Sequence, residues 1–214
     1  MGAKTSMLVY ADSSARNALK AMPELDHEAT HRLANALFTG EKLELVGEGD
    51  LSYTYPPDDE LHIAWFPGVS IVAARDFAID YPSKLPASFI SAGGSKKVYL
   101  HAMHSAVDWF AFALWSDGTL IRSLSLSPDS GILEDIGPRL PFEEPYWSGQ
   151  HPAVDDDEEA DYPFVFHPLE LGEAALNEFF GYVLEGPVDS AQLEPESIPL
   201  IRYKRSQPRW KFWK

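Results

Sequence analysis

The side chains best equipped for chemistry cluster at His101, His104, Ser105 and Asp108. Imidazole exchanges protons near neutral pH and binds divalent metals, and a carboxylate can orient it or join as a ligand. Two chemistries follow. His101, His104 and Asp108 are candidate catalytic groups of a hydrolase-type enzyme, and His101 and His104 are candidate ligands of a divalent metal. On a helix, positions i and i+3 share a face; on a strand they point to opposite sides. The pair falls where a strand should end, so a turn can still bring the rings together. There is no glutamate in the zincin arrangement and no third histidine at a fixed offset. The competing reading makes these residues structural, satisfying backbone groups at a strand end. Arg122 or Glu134 is the candidate to meet them from the adjoining turn.

A second candidate is Asp12-Ser13-Ser14, which follows the first apolar run. A helix N-terminus beyond a strand presents free N–H groups to an anion. Asp12 and Ser13, with Arg122, are therefore candidate binding residues, although helix capping explains the same side chains. Glu134, Asp135, Glu143 and Glu144 beside Tyr146 and Trp147 suggest carbohydrate chemistry, because paired carboxylates and aromatic rings suit sugars. Acidic turns flanked by core aromatics give the same string. Ser52 and Ser105 lack the Gly-x-Ser-x-Gly surround of a hydrolase elbow, and no Gly-rich phosphate loop is present. Cysteine is absent, which removes disulfides, thiolate metal sites and a cysteine nucleophile.

The elements that must position these groups are legible from periodicity. Met7 to Ala11 reads as a buried strand, followed by a helix over Ala15 to Ala21 and another from the Asp26 cap to Gly40. Leu43, Leu45 and Leu51 to Tyr55 open a β-rich section. Leu61 to Phe66 and Val69 to Ala74 form a hairpin across Pro67-Gly68. Pro86 to Ala92 makes a helical turn. Strands then run over Lys97 to His101, Trp109 to Trp115 and Thr119 to Leu126, the last two joined by Asp117-Gly118. Ser123, Ser125 and Ser127 share one face of the third, opposite Leu124 and Leu126. Ser127 to Gly149 is turn-rich, because four prolines deny it a long helix. Leu169 to Leu184 carries one broad apolar stripe and is the strongest helix, stopped at Gly186-Pro187. Ile198 to Tyr203 is a final edge strand. Helices at both ends with hairpins between them predict an α+β fold: a mostly antiparallel, twisted sheet with helices packed against it.

The 214 residues suit a single domain, expected over 1–205, with an acidic loop at about 152–162 and a basic, aromatic tail over 206–214. Six acids fall within Asp155 to Asp161, the composition of a solvated loop rather than a calcium loop with alternating ligands around a glycine. The formal charge of −16 is unevenly placed: residues 1 to 201 hold 11 basic against 33 acidic side chains, a net −22, while six cations follow Ile201. Such a body disfavours nucleic acid as a partner. The tail is expected to fold back or to support self-association through 206–214. A protein or a small molecule remains open as partner. No apolar stretch approaches the ~20 residues of a membrane helix and no leader is evident, so a cytoplasmic location is expected.

The runs 98–113 (VYLHAMHSAVDWFAFA), 125–137 (SLSPDSGILEDIG), 141–147 (PFEEPYW) and 166–173 (FHPLELGE), with Met1-Gly-Ala-Lys-Thr5, Asp50 to Thr54 and Tyr55-Pro-Pro-Asp-Asp59, resemble a family of actinobacterial proteins of unknown function. The resemblance covers most of residues 1 to 186 and implies a bacterial cytoplasmic protein with no activity attached. The sequence therefore leads with a non-catalytic partner- or ligand-binding domain, and keeps as its alternative an enzyme or metal protein centred on His101, His104 and Asp108. The cofactor is unknown, with a divalent metal the candidate.

Overall fold

The computed structural model describes residues 2–153, 162–186 and 191–206. Nine strands form one antiparallel sheet: β1 (Lys4–Ala11), β2 (Lys42–Asp50), β3 (Glu60–Phe66), β4 (Val69–Ala73), β5 (Lys97–His104), β6 (Trp109–Ser116), β7 (Thr119–Ser127), β8 (Gly131–Ile136) and β9 (Pro199–Ser206). Their order across the sheet is β2-β9-β3-β4-β1-β5-β6-β7-β8. Five α-helices accompany it among the described residues: α1 (Ala15–Lys20), α2 (His27–Leu37), α3 (Ala87–Ala92), α4 (Glu144–Trp147) and α5 (Pro168–Phe180). The α+β expectation is met. None of these helices is long and apolar enough to cross a membrane.

Both faces of the sheet are covered, which is why its central strands read as almost unbroken apolar runs. On the front face Met7, Val9, Ile71, Phe110, Phe112 and Leu124 pack beneath α1 and α5. On the back face Leu8, Val72, Leu100, Ala111 and Ile63 pack beneath α2, α3 and the short turns at 75–77 and 82–84. The stripe of α5 buries Leu171, Leu176, Phe179 and Phe180, each contributing roughly 1.5–3 kcal/mol of apolar transfer. Gly172 lets that helix lie close: a Cβ there would stand 3.1 Å from both Met103 and Phe110. The helix stops at Gly181, whose φ of 88° is the left-handed C-terminal cap, five residues before the expected stop at Gly186.

Two further expectations need correction. Strand β9 is not at an edge but lies between β2 and β3. The turn-rich stretch contains a strand, β8, which pairs with β7 through Ser123↔Ile136 to Ser127↔Gly131. Its exposure pattern is mostly open to solvent, so little apolar periodicity marks it. The acidic run Asp155 to Asp161 and the tail from Gln207 onward lie outside the described residues.

Candidate functional site

Strand β5 continues through His104 instead of ending at His101, and that extension separates the two histidines. His101 faces front and is wholly buried. Its Nε2–H donates to the Gly172 carbonyl at 3.0 Å, because a carbonyl can only accept, and Nδ1 accepts from the Thr5 hydroxyl at 2.7 Å. Burial holds its pKa down to about 4, partly offset by the Gly172 bond. His104, three positions on, faces back. Asp108 occupies the turn before β6 with φ 47°, and its carboxylate lies 3.6 Å from Nε2 of His167, the cap of α5. The expected convergence of His101, His104 and Asp108 is thus corrected by strand alternation: the three face different surroundings. Among the described residues no group of three or more His, Cys, Asp or Glu is arranged to hold a metal ion.

Arg122 and Glu134 do not meet the histidines either. Arg122 is fully buried and forks onto Glu143 through Nε (2.9 Å) and Nη2 (2.7 Å), while Nη1 reaches Asp135 and the carbonyls of Ile136 (3.1 Å) and Gly137 (3.2 Å). Glu143 also accepts from the Leu140 amide at 2.8 Å. Glu134 accepts from the Ser83 amide at 2.9 Å and from the Ser83 and Ser123 hydroxyls. Three of the four carboxylates read as a sugar site, Glu134, Asp135 and Glu143, are therefore consumed by structure. Asp12 pairs with Lys96 at 2.9 Å, and Ser14, rather than Asp12 or Ser13, caps α1. Three strand steps separate β1 from Arg122 on β7, so these binding candidates do not converge either.

What the fold does assemble is a cleft of about 370 Å³ at the back-face rim, where β5 ends and β6 begins. His104, Tyr55, Trp109, Asp80 and Asp129 border it, with Val107 and Leu133 as apolar wall. Tyr55 is held over the start of β1 because Thr54 bridges to Thr5 and its carbonyl accepts from the Ser6 amide at 2.8 Å. Its ring stacks under the Arg75 guanidinium at 3.9 Å and meets His104 edge-on at 5.4 Å. The His104 Nδ1 accepts from the Ala106 amide at 3.3 Å, which leaves its proton on Nε2. Partial burial, then the Lys4 charge, and finally that of Arg75, lower its pKa, opposed by a local backbone bond. These effects favour the neutral ring, which donates through Nε2. Asp80 and Asp129 are exposed and make no ion pair among the described residues.

Sequence reasoning singled out His104 but missed Tyr55, Asp80, Asp129 and Trp109. Their signals were ordinary: a Tyr-Pro-Pro turn, an Asp-Ser-Gly turn, and a tryptophan inside an apolar strand. Trp109 is anchored by its indole N–H, which donates to Ser125 at 3.2 Å from the small polar face of β7.

A second polar locus ties the start of the chain to α5 and the turn that follows it. Glu173 on α5 accepts from the amides of Leu184 (2.8 Å) and Glu185 (3.2 Å), and the Glu185 carboxylate accepts from the Ala3 amide at 2.8 Å. Burial pushes the Glu173 pKa up to about 7; the two amides oppose this and the Glu185 charge adds to it. A carboxyl with a raised folded pKa binds more protons folded than unfolded, so its contribution falls as pH rises from about 4.5 to 7. Glu173→Gln, which does not titrate, should therefore gain on the wild type by about 1–2 kcal/mol between pH 5 and pH 8, after solvent screening is allowed for. Urea melts at both pH values measure this, and a pH-independent difference would refute it.

No curated protein and no solved structure matches the chain. The family model described as "Family of unknown function (DUF6928)" matches residues 5–203, nearly the full length, and the chain belongs to that family.

Proposed function

We propose that this domain is a non-catalytic binding protein whose ligand occupies the rim cleft, and that the ligand is a small organic cation such as an amine. One observation carries the reading: two carboxylates without ion-pair partners among the described residues face one concave, ring-walled space with no cation in its lining. Clefts of a few hundred Å³ with few polar groups on an apolar wall are the usual form of small-molecule sites. Asp80 and Asp129 supply the counter-charge. Tyr55 and Trp109 offer aromatic surface, and the His104 Nε2–H is positioned to donate to a ligand hydroxyl or carbonyl. The enzymatic alternative retains only His104 of its three residues.

Thermal-shift measurements test this with a panel of small amines against matched alcohols and carboxylates. Amines should stabilise the protein in proportion to the logarithm of their concentration above Kd, by about 2.7 kcal/mol at a hundredfold excess over Kd. The Asp80→Asn/Asp129→Asn variant should keep its circular dichroism spectrum and lose the response. Stabilisation by carboxylates instead, or an amine effect that survives in the double variant, would refute the assignment.

A further inference from the structure

Four segments from separate parts of the chain meet where β1 begins, and hydrogen bonds tie each of them to the framework. Ala3 and Lys4 lead into β1, and the Ala3 amide donates to Glu185 at 2.8 Å. The 183–185 turn is held to α5 through the Glu173 carboxylate. The turn at 195–197 is fixed by the Leu51 amide, which donates to the carbonyls of Pro195 (3.2 Å) and Ile198 (3.0 Å). Tyr53 is placed by His62, whose Nδ1–H donates to its carbonyl at 3.2 Å and whose ring lies 5.7 Å from its own. Between these segments lies a cleft of about 540 Å³. That volume falls within the ~300–1,000 Å³ of small-molecule sites.

The charges lining this cleft are of both signs and do not answer one another. Lys4 is half-buried, with its ammonium 5.7 Å from the centroid of the Tyr55 ring, and it makes no ion pair among the described residues. Glu185 and Glu196 are exposed and likewise pair with no cation there; the Ala3 amide occupies only Oε1 of Glu185. Beside them stand an apolar wall of Val183, Leu184 and Pro195 and the ring of Tyr53, which is 50% exposed. A simple amine would set its charge against Lys4, and a simple anion would set its own against two carboxylates. Like charges brought together in this way oppose binding. A molecule carrying both charges a short distance apart answers all three side chains.

We infer that this cleft binds a free α-amino acid with an apolar or aromatic side chain, its carboxylate on Lys4 and its ammonium on Glu185 and Glu196. An ammonium carries three N–H donors, enough for both glutamates, while a carboxylate accepts from Lys4. Tyr53 and the apolar wall receive the side chain, where ring contacts and burial add to the charged bonds. The inference does not rest on the amine reading of the rim cleft. Tyr55 borders both spaces, but Asp80, Asp129 and His104 line only the other one.

Amide NMR titrations of the full-length protein with phenylalanine and with leucine test this. Either should shift the resonances of Lys4, Tyr53, Leu184, Glu185 and Glu196 saturably. Phenethylamine and phenylpropionate, each lacking one charge, should bind there about tenfold or more weakly, and so should phenylalanine with the Lys4→Gln variant. The Asp80→Asn/Asp129→Asn variant should bind phenylalanine as the wild type does, which separates this cleft from the rim. Absence of saturable shifts with both amino acids would overturn the proposal. So would shifts confined to the surroundings of Asp80 and Asp129, equal binding of either single-charge analogue, or an unaltered Kd in Lys4→Gln. If circular dichroism shows that Lys4→Gln fails to fold, Glu196→Gln takes its place with the same expected weakening.

Discussion

Replacing Arg122 with alanine is expected to lower stability by about 3–5 kcal/mol, because it leaves the Glu143 carboxylate buried without its partner. Both side chains are fully inaccessible, and the fork between them also carries the 137–143 turn through the Ile136, Gly137 and Leu140 backbone groups. For a domain of this size, that loss lowers Tm by on the order of 10 °C. The pair itself need not be stabilising, since desolvating two charges offsets most of their attraction. Arg122→Met/Glu143→Leu should therefore be less destabilised than Arg122→Ala, although it removes more polar contacts. Denaturant titration of the three proteins measures this. A loss below about 1 kcal/mol for the single variant would mean that water reaches Glu143 and that the pair does not hold the 137–143 turn.

The second large effect concerns His101 and is read against pH. Its folded pKa is about 4 against an ordinary 6.5, so the unfolded chain binds more protons between those values. Stability contributed by the neutral ring is present above pH 6.5 and is lost as pH falls toward 4. Between pH 7 and pH 4.5 the wild type should lose about 2.5 kcal/mol through this residue. His101→Gln can still bond Thr5 or Gly172 but does not titrate, so the wild type should lose that much more stability than the variant over the same interval. Urea melts of both proteins at the two pH values give the difference, and background acid effects cancel in it. Parallel losses in the two proteins would show that His101 is not the buried neutral ring bridging β5 and α5.

The same residue shows where sequence reading stopped. The hairpins at Pro67-Gly68 and Asp117-Gly118 and the serine face of β7 were legible because turn residues and period-2 alternation act locally. The length of β5 was not. Whether a strand ends at His101 or His104 depends on its neighbours: Lys4 of β1 pairs with His104, and Trp109 of β6 pairs with it from the other side. Those partners hold three more residues in the ladder and send the two rings to opposite faces. The rim cleft was illegible for a related reason. Tyr55, Asp80 and Asp129 come from three loops whose meeting follows from sheet order and not from spacing. For β9, an apolar strand bearing cations looks the same at an edge or inside the sheet. Its inward place follows only from β2 pairing on its far side.

That inward place sets a timetable for folding. Strand β9 is the last of the nine in chain order, yet it is the sole described bridge between β2 and the rest of the sheet. Until it arrives, β1 and β3 through β8 can assemble as seven neighbouring strands, while β2 has nothing to pair with and β3 presents a bare row of amides and carbonyls. Joining Ile63 to Ile201 closes a loop of most of the chain, a step that comes late because its entropy is lost before its contacts form. An early arrest in synthesis, or a truncation before Pro199, therefore forfeits two strands for one deleted. It leaves a sticky edge with Leu61 and Ile63 beside it, and such intermediates are prone to pair with one another.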